Sequence, residues 1–321
     1  MAQHFLLSAK ARTLSLAQVL RLSDDQAFET FKAMRWASTD GEPVCPKCGC
    51  LGAYLFKDGR LWRCKECRSK FSVTSGTIFA SRKLSHRDYL AAVAIFVNGA
   101  KGYSALQLSR DLNVQYKTAF VLAHKLREAL GTEFEGRELS GEVEVDGAYV
   151  GGHVRQENQK ADRKDRRKVG NQNGKRQSLV IMRERWGRSV PIVAESELQA
   201  VPLIVQRVAP KSTVYADEAP GWNTLHAWFD TKRINHQKAF AMDGACTNWA
   251  ESFFSRMRRA ELGIHHRISG QYLQAYANEL AWREDNRRVD NGTQYVNALK
   301  AALGSPVSRQ WKAYWQRAKA A

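Results

Sequence analysis

Hydrophobic spacing predicts helices at both ends of the first 130 residues, with a different pattern between them. Residues 13–36 carry apolar side chains at helical spacing, and Ser23 marks a helix start inside that stretch. Residues 41–80 change to short alternating runs with glycine and aromatic residues, which predicts small hairpins. Helical spacing returns from 85 to about 130, with Ser85 as the N-cap. This part of the chain therefore consists of helices on either side of a small β-rich segment.

The pattern after residue 140 predicts an α/β region. Residues 142–152 alternate as a strand does, whereas 153–177 are polar and basic and predict a mobile surface loop. Further strands are predicted at 178–184, 189–195, 212–218 and near 233–240, and helices at 197–208, 222–229, 247–262 and 269–287. The fold class that follows is multidomain α+β, with a mixed sheet in its second part.

Cysteines concentrate in the β-rich segment. Cys45 and Cys48 form one C-x2-C pair, and Cys64 and Cys67 form another, with 15 residues between the pairs. Two such turns supply four thiolates, which is the tetrahedral donor set of a structural Zn²⁺. Cys50 is then a fifth thiol that is not a ligand. A redox pair or a disulfide fits the matched spacing less well, and the zinc's direct role is to hold a small domain together.

The charge of the chain narrows the class of partner. A net charge of +18 and a pI of about 9.8 favour polyanions, because each neutralised phosphate releases condensed counterions. The plainer alternative is a basic protein that simply repels itself. There is no apolar run of about 18 residues and no signal-peptide pattern, and clustered cysteines suit a reducing compartment, so we expect a cytoplasmic protein with no membrane partner.

Residues 102–130 predict two short helices that could read DNA. The first ends at a turn around Asn113, and the second begins near Gln115. In a helix-turn-helix, residues at the start of the second helix contact base edges, which here are Gln115, Lys117 and Thr118. Two helices of a plain bundle would give the same pattern, and the basic charge favours the DNA-reading interpretation.

Carboxylates stand at the ends of predicted strands and on a predicted helix. Asp146 ends an alternating strand and shares one face of it with Glu142 and Glu144. Asp217 ends a second strand, and Glu251 lies on a helix further along the chain. Two strand-end aspartates and a helix-borne glutamate are the arrangement that an RNase H-like nuclease core needs to hold two hard cations.

These motifs together resemble the IS1595-type (ISXO2-like) insertion-sequence transposases. The resemblance runs from about Cys45 to Arg288, through CPKCG, WRCKECRSKFSVTSGTIF, EVDGAYVGG, VYADEAPGW, TNWAESFFSRMRRAELGIHHRIS and YANELAWREDNRR. It implies a zinc ribbon followed by a DDE-type, RNase H-like catalytic domain that uses Mg²⁺, with Mn²⁺ able to substitute. It also implies that Asp146, Asp217 and Glu251 are the metal ligands.

The resemblance leaves one alternative and one departure. Asn248 lies three residues before Glu251 on the same helical face and competes with it as the third ligand, while Thr247 or Asn248 is expected to cap that helix. A carboxylate is the better ligand for a hard cation, and Arg258 matches the basic residue expected two turns after Glu251, where it could meet a DNA phosphate. Gly147 stands where many relatives have glutamate, at a position that is not expected to be a ligand.

The function predicted from the sequence is therefore that of a DNA transposase. It would bind terminal inverted repeats of double-stranded DNA, cut and transfer strands, act as a homodimer or larger assembly, and belong to the bacterial nucleoid. Arg166, Arg167 and Lys168 of the basic loop are further predicted DNA contacts. The rivals are a DNA-binding regulator without catalysis and a nuclease that does not join strands.

The same reasoning divides the chain into segments. The predicted segments are 1–40 (helical), 41–80 (zinc ribbon), 81–135 (helix-turn-helix), 140–300 (catalytic domain) and 301–321 (basic helical tail).

Overall fold

The computed structural model of the chain describes residues 4–151, 155–165, 169–171, 174–234 and 246–317. Its α-helices are α1 (Leu16–Leu20), α2 (Asp24–Arg35), α3 (His86–Asn98), α4 (Ala105–Asp111), α5 (Tyr116–Gly131), α6 (Glu197–Arg207), α7 (Asn248–Ala260), α8 (Leu273–Asp285), α9 (Asn291–Gly304) and α10 (Tyr314–Arg317). Its strands are β1 (Ala53–Leu55), β2 (Leu61–Cys64), β3 (Lys70–Ser72), β4 (Glu142–Gly151), β5 (Arg176–Glu184), β6 (Ser189–Ala194), β7 (Thr213–Asp217) and β8 (Asp230–Ile234). Within the described ranges, no helix combines the length and apolar character that a bilayer crossing requires.

One compact unit contains the described residues up to Glu133 and those from Asn286 onward. Its helices begin where the sequence predicts, because Ser23 and Ser85 cap α2 and α3 by accepting hydrogen bonds from backbone amides three residues on. Helix α9 packs on α2, α3 and α5. The C-terminal part of the chain thus belongs to this unit from Asn286 onward, whereas the sequence predicts a separate last segment from residue 301.

A three-stranded antiparallel sheet, in the order β1-β2-β3, forms the ribbon of this unit. Trp62 and Phe71 stack on each other at a ring distance of 6.0 Å, and both are buried. Phe28 of α2 stacks on Trp62 as well, and Trp36 packs edge-on against it. These aromatic contacts supply the small core that three short strands cannot form alone.

Helices α4 and α5 pack against each other and are joined by a short turn. Asn113 in that turn has φ +49°, the left-handed conformation that asparagine tolerates better than most residues. Helix α5 has Gln115 as its N-cap. The helical pair and its turn are therefore those that the sequence predicts.

The second unit, Phe134–Asp285, is built on a five-stranded sheet in the order β6-β5-β4-β7-β8. Strands β5 and β6 run antiparallel to their neighbours, whereas β4, β7 and β8 are mutually parallel. Val143 and Val145 of β4 face a core that includes Ala200 and Ile204 of α6. Helices α7 and α8 lie on the opposite face, where Arg183 of β5 contacts both of them.

Two predicted elements of this unit differ from the structure. The strand expected near 233–240 is β8, which begins at Asp230 because it pairs with β7 from Thr213 onward. The helix expected at 222–229 is a 3₁₀ helix over Pro220–Ala227, with proline in its first turn. The predicted fold class is confirmed as a mixed helix and sheet architecture with a ribbon and a mixed sheet.

Candidate functional site

Four cysteine sulfurs converge at the base of the ribbon. The sulfurs of Cys45 and Cys67 are 3.6 Å apart, those of Cys48 and Cys64 are 3.5 Å apart, and all four lie within 4.8 Å of one another. Four thiol donors around one point fit a tetrahedral Zn²⁺, whose bonds to sulfur are about 2.3 Å long. This cluster is the structural zinc site that the two C-x2-C pairs predict.

The surroundings of the cluster support thiolate ligation. Hydrogen bonds from Ser69 lower the pKa of Cys67, which favours its thiolate, whereas burial and the neighbouring thiols raise the pKa of Cys48 despite a hydrogen bond from the Cys50 backbone. Cys50 lies outside the cluster, and its sulfur accepts a hydrogen bond from the Gly52 amide at 3.2 Å. The four sulfurs that the sequence predicts as ligands thus converge, and that of Cys50 does not join them.

Asp146 and Asp217 are brought together by the register of two parallel strands. Val145 of β4 pairs with Ala216 of β7, so each aspartate follows at the next position of its strand. Asp146 lies on the same face as Glu144, and Asp217 lies on the same face as Tyr215, the partner of Glu144. Both carboxylates therefore lie on the face of the sheet that carries α7.

Burial, together with the charges of Asp217, Glu251 and Glu197, raises the pKa of Asp146 to about 7, although a hydrogen bond from the Gly147 amide lowers it. The carboxylate of Asp146 thus lies close enough to three others to feel their charge. The oxygens of these carboxylates nevertheless lie farther apart than the four cysteine sulfurs do. Among the described residues, only the cysteines form a tight group of metal-ligating atoms.

Glu251 lies in the first turn of α7, where the hydroxyl of Thr247 donates to its Oε1 at 3.1 Å. Thr247 is the N-cap residue, as the sequence predicts, but its side chain makes no capping hydrogen bond. The carboxylate of Glu144 on β4 accepts hydrogen bonds from the Trp249 and Ala250 amides of the first turn instead. Asn248, the alternative third ligand, is exposed at the first position of the helix.

Arg233 holds the turn that follows Asp217. It lies beside Ala216 on β8 and donates to the carbonyl oxygens of Asp217 and, at 2.8 Å, of Ala219. The Ala219 amide in turn donates to Oδ1 of Asp217 at 3.1 Å. The aspartate is consequently held in place by its own backbone turn.

Glu197 is a neighbour of the site that the sequence analysis missed. A Cβ atom on Gly147 would lie only 2.7 Å from Oε1 of Glu197, and a Cβ on Gly221 would lie 2.8 Å from the Cβ of Glu197. The two glycines leave the space into which the first turn of α6 fits. Burial and the charge of Asp217 raise the pKa of Glu197. No local motif marks this residue, because its approach depends on helix packing.

The predicted DNA contacts lie in several places. Gln115 and Lys117 are exposed at the start of α5, and Thr118 is half-buried. Lys117 lies over the ring of Trp315, 5.2 Å from its centre. Arg258 is exposed on α7. The predicted contacts Arg166, Arg167 and Lys168 lie outside the described residues.

Two family models match the chain. The model of the ISXO2-like transposase domain matches residues 138–285, which contain the sheet and the carboxylates. The model of the transposase zinc-ribbon domain matches residues 22–70, which contain the four cysteines.

The individual proteins that match the chain have low sequence identity to it. An uncharacterized protein in the transposable element ISH50 of Halobacterium salinarum is 23% identical over 295 residues, which span 88% of this chain and 98% of the relative. Among solved structures, the crystal structure of the Mos1 strand transfer complex matches with a TM-score of 0.28 and 12% identity, over 70% of this chain and 76% of that one.

Proposed function

The chain belongs to the family of IS1595-type, ISXO2-like transposases, and from this premise we propose that it cuts and joins DNA at the carboxylates Asp146, Asp217 and Glu251. Its substrate is the terminal inverted repeat of an insertion sequence. The observation that carries the proposal is the pairing of Val145 with Ala216, which brings the two aspartates side by side, next to the charge of Glu251.

The donor set fits Mg²⁺. Carboxylate oxygens are the hard ligands that this ion prefers, and the raised pKa of Asp146 reflects its burial and, after that, neighbouring negative charges that a cation would compensate. When bound, two such ions activate the attacking oxygen and stabilise the leaving oxygen. Glu251 is favoured over Asn248 as the third ligand because it adds a charge and accepts a hydrogen bond that orients it.

The reaction consists of two in-line displacements. In the first, the oxygen of a water molecule bonds to phosphorus at the element end and the bond from phosphorus to the 3′ oxygen breaks, which leaves a 3′-hydroxyl. In the second, that hydroxyl attacks a phosphate of the target strand, gives up its proton, and displaces the target's 3′ oxygen. Neither step needs a covalent enzyme intermediate.

The architecture supports an RNase H-like catalytic domain. Three antiparallel strands followed by two parallel ones place β4, which carries Asp146, in the centre of the sheet. Helices α4 and α5, with the exposed Gln115 and Lys117 at the start of α5, support a helix-turn-helix that reads DNA. The described part of the basic segment after β4 is exposed and adds phosphate contacts, as does Arg258.

The test uses the full chain with a duplex that carries the element end, a target duplex and Mg²⁺. The wild type should nick the end and join it to the target. Asp217→Ala and Glu251→Ala should each lower the rate by about a thousandfold or more, because each removes a charge that the transition state needs. Glu218→Gln is the matched control, since Glu218 is an exposed carboxylate next to Asp217.

Each outcome decides between the alternatives. Binding without cutting by the wild type would identify a regulator, and cutting without joining would identify a nuclease. Full activity of Glu251→Ala together with loss of activity in Asn248→Ala would transfer the third ligand to Asn248.

A further inference from the structure

Glu144 is a fully buried carboxylate in the centre of the sheet, two residues before Asp146 on the same face of β4. Its Oε2 accepts hydrogen bonds from the backbone amides of Trp249 at 2.8 Å and Ala250 at 3.2 Å. Both amides belong to the first turn of α7, the turn that contains Glu251. A single side chain of the central strand therefore binds the start of the helix.

This contact replaces an ordinary helix cap. The first amides of a helix have no partner within it, and the side chain of the N-cap residue usually accepts one of them. The hydroxyl of Thr247 donates to Glu251 instead, so the capping acceptor comes from β4. A carboxylate at this position is also stabilised by the positive end of the helix dipole.

Arg185, the residue that follows β5, contacts the carboxylate from its other side. Its Nε lies 3.1 Å from Oε1 of Glu144, and its Nη2 donates to the sulfur of Cys246 at 3.1 Å. The guanidinium packs on the ring of Tyr215, 3.8 Å from its centre. The buried charge of Glu144 is thus paired, and both oxygens have partners, which is the condition for such a charge to be tolerated.

We propose that Glu144 is the positioning residue of the catalytic site, which fixes Glu251 of α7 relative to Asp146 of β4. This inference rests on the proposed function, because it concerns the geometry of the same three carboxylates. Glu144 does not touch the reacting atoms. It sets the position of one metal ligand with respect to another, so its loss should weaken metal binding before it affects DNA binding.

The experiment compares Glu144→Gln with Glu142→Gln in the full chain. Glu142 shares with Glu144 the strand face and the pairing with Arg185, and it accepts a hydrogen bond of its own from Tyr215. Among the described contacts, it binds neither amide of α7. Glutamine at 144 keeps the size of the side chain and removes the charge that both amides and Arg185 share. Glu144→Asp, which keeps the charge and shortens the reach, is the second variant if Glu144→Gln does not fold.

Two measurements should change together in Glu144→Gln. Amide hydrogen exchange in the segment 246–254 should accelerate about tenfold, and the Mg²⁺ concentration for half-maximal cleavage should rise about tenfold, as expected when a hydrogen bond to a charged group is lost. The Kd for the element-end duplex should stay within about twofold of the wild type. Glu142→Gln should resemble the wild type, and Glu144→Asp should shift both quantities by less.

The inference is overturned if Glu144→Gln requires no more Mg²⁺ than Glu142→Gln does, whether or not its amide exchange changes. It is also overturned if the duplex Kd rises as much as the Mg²⁺ requirement. A wild type that cuts no element end would overturn the proposed function instead, and the exchange measurement would still report whether Glu144 anchors α7.

Discussion

Burial, together with the charges of Asp217, Glu251 and Glu197, raises the pKa of Asp146 from its ordinary value of 3.8 to about 7. Between these two pH values the folded chain keeps a proton that the unfolded chain has lost. Stability must therefore fall as the pH rises from about 4 to about 7, and the full penalty remains above pH 7. Asp146 makes the unliganded second unit less stable at the pH at which the site would bind a cation.

Asp146→Asn should remove this penalty. In buffer without Mg²⁺, the variant's free energy of unfolding should exceed that of the wild type by on the order of 3 kcal/mol above pH 7, and by little near pH 4. Hydrogen exchange in peptides from β4 and β7 would measure this difference in the free energy of unfolding for the second unit, without a contribution from unfolding of the ribbon. The control, Glu218→Gln, should show no such gain, and a gain in Asp146→Asn that is independent of pH would contradict the assignment.

At this scale the sequence predicts some residues of the site and misses others for a physical reason. Asp217 ends β7, as its alternating hydrophobic run predicts, whereas Asp146, which the sequence predicts at a strand end, lies in the middle of β4, because that strand continues to Gly151 in its pairing with β5. The sequence predicts only that Glu144 is one of several carboxylates on a strand face. It predicts that Glu197 is an ordinary glutamate in the first turn of a helix. Their importance comes from contacts with residues 50 or more positions away, Trp249 and Gly147 respectively, and such distant contacts leave no local signal in the sequence.

The ribbon is the element whose folding depends most directly on the metal. Cys64 is fully buried at the end of β2, two residues after Trp62, which stacks on Phe28 and Phe71. Cys64→Ser should therefore abolish stoichiometric zinc and cost the ribbon several kcal/mol, on the order of 5 or more. Zinc content and the fluorescence of Trp62, which should shift to the red on exposure, are the measurements.

Cys50→Ser is the matched control for that change. Cys50 lies two residues after the ligand Cys48 but outside the cluster, so its variant should keep one zinc per chain and the wild-type fluorescence. Full zinc binding by Cys64→Ser, or its loss in Cys50→Ser, would contradict the assigned ligand set.

Elements that depend on local signals are predicted well, and those that depend on distant contacts are not. The starts of α2 and α3 follow from Ser23 and Ser85, which cap amides three residues away. Helix α7 has the expected N-cap residue, Thr247, but the acceptor for its first amides is the carboxylate of Glu144, more than 100 residues earlier. Helix α9 likewise joins α3 and α5 through packing that no turn signal marks.

At the scale of the whole molecule, the net charge of +18 should dominate the affinity for DNA. Contacts with phosphates release counterions, so the affinity for any duplex should fall roughly a thousandfold between about 50 and 200 mM salt. Because both duplexes present the same backbone, the element end and an unrelated sequence should show parallel slopes, and their ratio should change little. Fluorescence anisotropy over a salt series would measure both.

Variants of two nearby residues distinguish the electrostatic affinity for any duplex from the preference for the element-end sequence. Lys117→Ala should reduce the slope of log affinity against log salt by about one and weaken both duplexes equally, as expected for a phosphate contact. Gln115→Ala should leave the slope unchanged and lower the preference for the element end, since a neutral side chain releases no counterion. A slope of log affinity against log salt near zero for the wild type would contradict a role of the net charge in DNA binding. Equal effects of Lys117→Ala and Gln115→Ala on slope and preference would contradict a contact between α5 and DNA.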